Sequence, residues 1–168
     1  MLEKPYSKIT VVSVCERARI NKKTFYRYYP TLDDLLNELL GAYIMPYVSL
    51  TAGMKYPDDV EKVTRIFLEY CAEQGSLFDA IVANEVHESI LKCFVEGTEI
   101  ERFAISDAPE GWSNDEWRLY MISVTSAQLR IYQQWVKDGR RVPLERMVEI
   151  ACKVICHGAN LEHGKSRR

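Results

Sequence analysis

Lys22, Lys23, Thr24, Arg27 and Tyr28 fall within one seven-residue stretch, and together they suggest nucleic-acid chemistry. Arg and Lys can donate to guanine O6 and N7, a Thr methyl can touch a thymine methyl, and Tyr hydroxyls reach phosphates. If the stretch is a helix, these five side chains project outward while Phe25 turns inward with Ile20 and Tyr29. An ordinary helical hairpin with a solvated positive face fits the same spacing equally well. Charge distribution bears on the choice. The whole chain is nearly neutral, with 22 Lys and Arg against 24 Asp and Glu. Residues 1–30 nevertheless hold seven basic and two acidic side chains, a net charge of +5, and the remaining 138 residues carry −7. A basic contact surface on an acidic body can neutralise phosphates while the molecule as a whole repels its own kind.

Other chemistries have less to work with. There is no Gly-rich phosphate loop, no His-Glu-x-x-His helix and no nucleophile elbow, so an enzyme is not expected. Glu96, Glu99 and Glu101 lack a credible base or metal partner and read as a solvated helix face. Cysteines stand at 15, 71, 93, 152 and 156 without zinc-site spacing, as expected of reduced thiols held in a core. Cys152, Cys156 and His157 come closest to a ligand set, but a third and fourth ligand are not evident. Neither a metal nor a cofactor is expected.

These side chains need helices to hold them. The 168 residues, 47% apolar and 27% charged, suit one compact globular domain, or a small module fused to a larger one, without disulfides or metal. Two short β-rich runs, Ile9 to Val12 and Val82 to Val86, lack hairpin partners, so the chain is expected to be all-α. Thr10 caps a helix to about Arg19, with Val11, Val14, Cys15 and Ala18 inward. Asn21 caps a short helix from Lys22 to Tyr29, which Pro30 ends. Thr31 caps a third helix through Leu35, Leu36, Leu39 and Leu40, which Pro46 bends or stops. Ser49 to Pro57 reads as a connector. Asp58 to Gln74 follows, closed by Gly75, then Leu77 to Ala83 and a helix from about Glu88 to Ile105. The leader shows no signal-peptide pattern and no run is apolar enough to span a membrane, so a cytoplasmic protein with no membrane partner is expected.

The last two helices are apolar on two faces. From a cap at Ser113 or Asn114 to Lys137, one face carries Trp117, Tyr120, Met121, Val124, Gln128, Ile131, Tyr132 and Trp135. The other carries Leu119, Ile122, Ser126 and Leu129. A final helix after Pro143 turns Leu144, Met147, Val148, Ala151 and Ile155 inward, with Ile150 and Val154 to one side. A second apolar face calls for a second neighbour, and another copy of the chain would supply it as an isologous four-helix interface. The alternative is a thicker monomeric core. Tyr43, Tyr47, Phe67, Tyr70, Phe78, Phe94, Phe103, Tyr120 and Gln128 are candidates for lining a small-molecule pocket, with His87 as a possible polar anchor. Aromatic stripes at this spacing are more often plain core.

The runs Ile9-Thr10-Val11-Val12-Ser13-Val14-Cys15-Glu16-Arg17-Ala18, Asn21-Lys22-Lys23-Thr24-Phe25-Tyr26-Arg27-Tyr28-Tyr29 and Asp33-Asp34-Leu35-Leu36 closely resemble the DNA-binding domain of TetR-type (TetR/AcrR) transcriptional regulators. Thr-Phe-Tyr-Arg-Tyr-Tyr is the most specific part. Ile131 to Gly139 and the helix after it look like that family's dimerisation helices. The resemblance is strong over 6–36 and weak in the middle of the chain. It implies a helix-turn-helix domain over 1–48 and an effector-binding and dimerisation domain over 49–168. It also implies a homodimer that reads a duplex DNA operator and is released, as a repressor, by a small-molecule effector. By position Lys22, Lys23, Thr24, Arg27 and Tyr28 would face bases, and Thr10, Tyr26 and Tyr29 would meet phosphates or pack.

This sequence departs from the family at three places. Only Met1 to Ser7 precede the first of these helices, where the family has a complete helix. Arg19 stands where the family's turn has Gly, and Leu32 where it often has a phosphate-contacting Lys. A second reading follows from these departures: a dimeric helical ligand-binding or interaction protein with a degenerate DNA-binding head.

Overall fold

The computed structural model describes residues 4–83 and 108–157. The described residues are helical, with no strand among them, so the chain is all-α as expected. A short 3₁₀ turn at Tyr6–Lys8 leads into α1 (Val11–Ala18), α2 (Lys22–Tyr28), α3 (Leu32–Leu50), α4 (Val60–Glu73), α5 (Ser76–Ala83), α6 (Asn114–Lys137) and α7 (Leu144–His157). The expected helix over 88–105 lies outside the described residues.

Four helices start where a short polar side chain can satisfy an orphan N–H. Thr10 Oγ1 accepts from Ser13 N at 3.2 Å, and Ser13 Oγ accepts from Thr10 N at 3.1 Å. Asn21 Oδ1 accepts from Thr24 N at 2.7 Å. Thr31 and Asp34 close the same reciprocal box on α3, and Ser113 and Glu116 close it on α6. Each such cap is worth about 1 kcal/mol.

Four expectations need correcting. Ala18, expected inward on α1, is exposed. α3 continues through Pro46 to Leu50, which takes Ser49 and Leu50 out of the expected connector. The prolyl ring is exposed, while Leu36, Leu40 and Tyr47 are buried along the opposite side. That burial offsets the hydrogen bond Pro46 removes. α4 begins at Val60 rather than Asp58, because residues 51–59 form a run of turns. Ile20 does not turn inward with Phe25 but is 39% exposed; it sits in the link just after the left-handed residue Arg19.

Two clusters make up the interior of the body. Leu36 and Leu40 of α3 join Leu68, Phe78, Ile81, Tyr132, Trp135 and Val148 in the first. Tyr47 of α3 joins Tyr56, Val63, Trp117, Met121 and Val124 in the second. α3 thus runs from the basic segment into both clusters. The inner face expected of α6 is the observed one: Trp117, Met121, Val124, Gln128, Tyr132 and Trp135 are buried, with Tyr120 and Ile131 half-buried. Of the thiols, Cys15, Cys71 and Cys152 are buried and Cys156 is half-buried, all reduced. Burial pushes the Cys71 thiol well above its ordinary value, so it stays protonated. Cys93 lies outside the described residues.

Candidate nucleic-acid interface

α1 and α2 pack on each other, and their buried residues are Cys15 and Phe25, 4% and 2% exposed. The link between them is three residues long, Arg19 to Asn21. α1 ends there because Arg19 takes a left-handed conformation, φ 55° and ψ 41°, at its C-cap. Ile20 N then donates to Cys15 O at 3.0 Å, which closes the helix end. Asn21 restarts the chain as the cap of α2, and Pro30 follows its C-cap, Tyr29.

With Phe25 fixed inward, the 3.6-residue period sets every other direction on α2. Lys22, Lys23, Tyr26, Arg27 and Tyr28 are exposed, and Thr24 is half-buried. An open hollow on this face is lined by Asn21, Lys23, Thr24, Tyr26 and Arg27. No Asp or Glu occurs between Arg17 and Pro30, so the face has no acid of its own to neutralise it. Arg27 donates to the Tyr28 hydroxyl at 2.9 Å, and its guanidinium lies 4.8 Å from the centre of the Tyr28 ring. That contact holds a flexible cation against a rigid plate on the exposed side.

The remaining candidates on the head divide. Tyr26 is 55% exposed, with its ring edge-on to Phe25 at 5.5 Å. Thr10 lies exposed at the start of α1, with its hydroxyl engaged in the cap. Tyr29 packs against Phe25 at 5.7 Å and hydrogen-bonds Glu38 of α3, which raises the phenol above its ordinary value. Tyr6 makes a second tie, donating to Asp33 Oδ1 at 2.6 Å while packing against the first core cluster. Burial, then the Asp33 carboxylate, raises this phenol too.

The pocket candidates that are described sit within the packed body. Tyr43 lies 5.1 Å from Phe78 and its carbonyl accepts from the Tyr70 hydroxyl. Phe67 meets Tyr47 edge-on at 5.4 Å. Tyr120 stacks on Trp117 at 5.3 Å. Gln128 is 1% exposed and donates to Thr64 Oγ1 across to α4 at 2.8 Å. Phe94, Phe103 and His87 lie outside the described residues. On the proposed dimer face, Leu119 is 66%, Ile122 41%, Ile150 38% and Val154 37% exposed. Ser126 is exposed as well, whereas Leu129 packs against the chain's own first cluster.

One constellation is not legible in the sequence. Arg140 grips the Asp79 carboxylate through two contacts of 2.6 and 2.7 Å. The Tyr132 hydroxyl donates to the same carboxylate at 2.7 Å, and the Arg140 guanidinium lies 4.9 Å from the centre of the Trp135 ring. Burial, then the Asp79 contact, drives the Tyr132 phenol far above its ordinary value. The group joins α5 to α6 and to the loop before α7. Nothing local marks it, because its partners are 53 and 61 residues apart.

Among the described residues, no three metal-ligating side chains cluster, and no helix is long and apolar enough to cross a membrane. Neither a protein-family model nor a curated protein matches this sequence.

Proposed function

We propose that this chain is a TetR-type DNA-binding transcriptional regulator, a homodimer that presents α2 to the major groove as the second helix of a helix-turn-helix. One observation carries the reading: a single buried aromatic, Phe25, sits inward on α2 while Lys22, Lys23, Arg27 and Tyr28 all stand exposed on a helix that carries no acid of its own. That is the requirement for a groove-reading helix. Arg27, braced by Tyr28, is the base-reading candidate. Lys22 and Lys23 contribute affinity through phosphates. The apolar residues exposed on α6 and α7 support the dimer, since Leu119 and Ile122 have little reason to face water otherwise. Repression relieved by a small-molecule effector rests on the family resemblance, with the aromatic body as the place to hold such a molecule.

Selection of duplexes from a random library, followed by anisotropy titration, tests this. The wild-type chain should enrich a near-palindromic site. Arg27→Ala should weaken binding to that site by about 1–3 kcal/mol and relax preference at one position in each half. Enrichment of no sequence and no duplex binding at low salt would leave the second reading, a dimeric ligand-binding or interaction protein. Leu32 at the start of α3 favours that reading, because it departs from the family's pattern.

A further inference from the structure

Two non-glycine residues among those described adopt a left-handed backbone, and both are arginines: Arg19 and Arg140, each at φ 55°. A side chain in that region costs free energy that glycine avoids, so each position invites the question of what its side chain does. At Arg140 the answer lies inside the protein, because the guanidinium binds Asp79 and Tyr132 and covers Trp135. Arg19 has no such answer. It is exposed, and no hydrogen bond or ion pair to a described residue engages its guanidinium. It stands at the elbow between α1 and α2, in the same acid-free run as Lys22, Lys23 and Arg27.

We infer that Arg19 is a further DNA-contacting residue: its guanidinium meets a phosphate of the duplex, and the strained elbow is retained for that contact. The inference rests on the regulator reading and deepens it, turning a departure from the family's turn glycine into a binding residue. Arg suits the task because its forked donors match two oxygens of one phosphate. A merely favourable interaction with the carbonyl end of α1 would leave DNA binding untouched.

The test is a salt titration of binding to a duplex selected by the wild-type chain. Each neutralised phosphate contributes about 0.9 to the slope of log affinity against log salt. Arg19→Gly should flatten the slope by about that amount while raising the thermal midpoint, because glycine relieves the strained φ. Arg19→Lys should keep the slope, and Lys62→Ala on the far helix α4 should not change it. A wild-type slope in Arg19→Gly overturns the inference and leaves the regulator reading standing. Equal flattening by Lys62→Ala also overturns it, since bulk charge would then be the cause. A wild-type chain that binds no duplex overturns both.

Discussion

The head and the body of this protein are held together by different means. In α1 and α2 only Cys15 and Phe25 are buried, and neither belongs to the two clusters of the body. Side-chain caps at Thr10 and Asn21 do much of the remaining work. In the body, α6 alone buries eight residues, and its polar groups are paired across long distances. Gln128 reaches Thr64, Gln133 reaches the Val82 carbonyl, and Tyr132 reaches Asp79 and the Cys71 carbonyl. The body spends its polar side chains on itself, whereas the head leaves its own exposed. Few internal contacts allow a segment to open without global unfolding, so the head is expected to have lower stability than the helices that carry it.

The sharpest way to break that comparison is Phe25→Ala. Removing a buried aromatic costs about 3–5 kcal/mol, more than a two-helix head can be expected to absorb. All three tryptophans, at 112, 117 and 135, lie in the body. The variant should therefore lose helical signal and duplex binding while its tryptophan fluorescence and the thermal transition read from it stay close to wild type. A tryptophan transition that falls in step with the helix signal would show head and body to be one cooperative unit.

Asp79→Ala makes the converse cut. It leaves Arg140 and the Tyr132 hydroxyl facing the space the carboxylate filled. A fully buried pair broken on one side loses about 3–5 kcal/mol. Here the two side chains are 34% and 20% exposed, so about 2 kcal/mol is expected once solvent screening is allowed for. The tryptophan-detected transition should drop, and the duplex affinity of the folded fraction should hold. An unchanged transition would mean that the Arg140 contact is ornamental to the body.

Acid gives the smallest effect. The Glu116 carboxylate accepts from Ser113 N and Ser113 Oγ at 2.8 and 2.7 Å, and these bonds hold its carboxyl below the ordinary value of 4.5. A depressed folded-state value means the cap contributes fully above 4.5 and is lost as pH falls through the lowered value. Glu116→Gln should make the acid decline of body stability slightly shallower. An identical acid profile would show that the cap gives α6 no pH dependence.

The same contrast governs what the sequence could disclose. The caps at Thr10, Asn21, Thr31 and Ser113 were legible because donor and acceptor lie three residues apart. The outward face of α2 was legible because Phe25 sets its register and the helical period does the rest. The reach of α3 past Pro46 was not legible, because the burial of Leu40 and Tyr47 that carries it there depends on distant helices. Ile20 misled because apolarity alone does not say that a link residue will be covered. The Asp79–Arg140–Tyr132 group was invisible, since only the folded chain brings α5 beside the residues that follow α6. Arg19 was visible as an oddity in a turn, and its significance emerged only beside Arg140.

The central claim is that the exposed face of α2 is the surface that meets duplex DNA. Lysine footprinting tests it most directly: acylation of the chain alone and with a selected duplex, read residue by residue by mass spectrometry. Lys22 and Lys23 should be protected by the duplex, while Lys62 and Lys153, exposed on α4 and α7, should react as before. Protection confined to lysines of the body, with Lys22 and Lys23 fully reactive in the complex, would contradict the account.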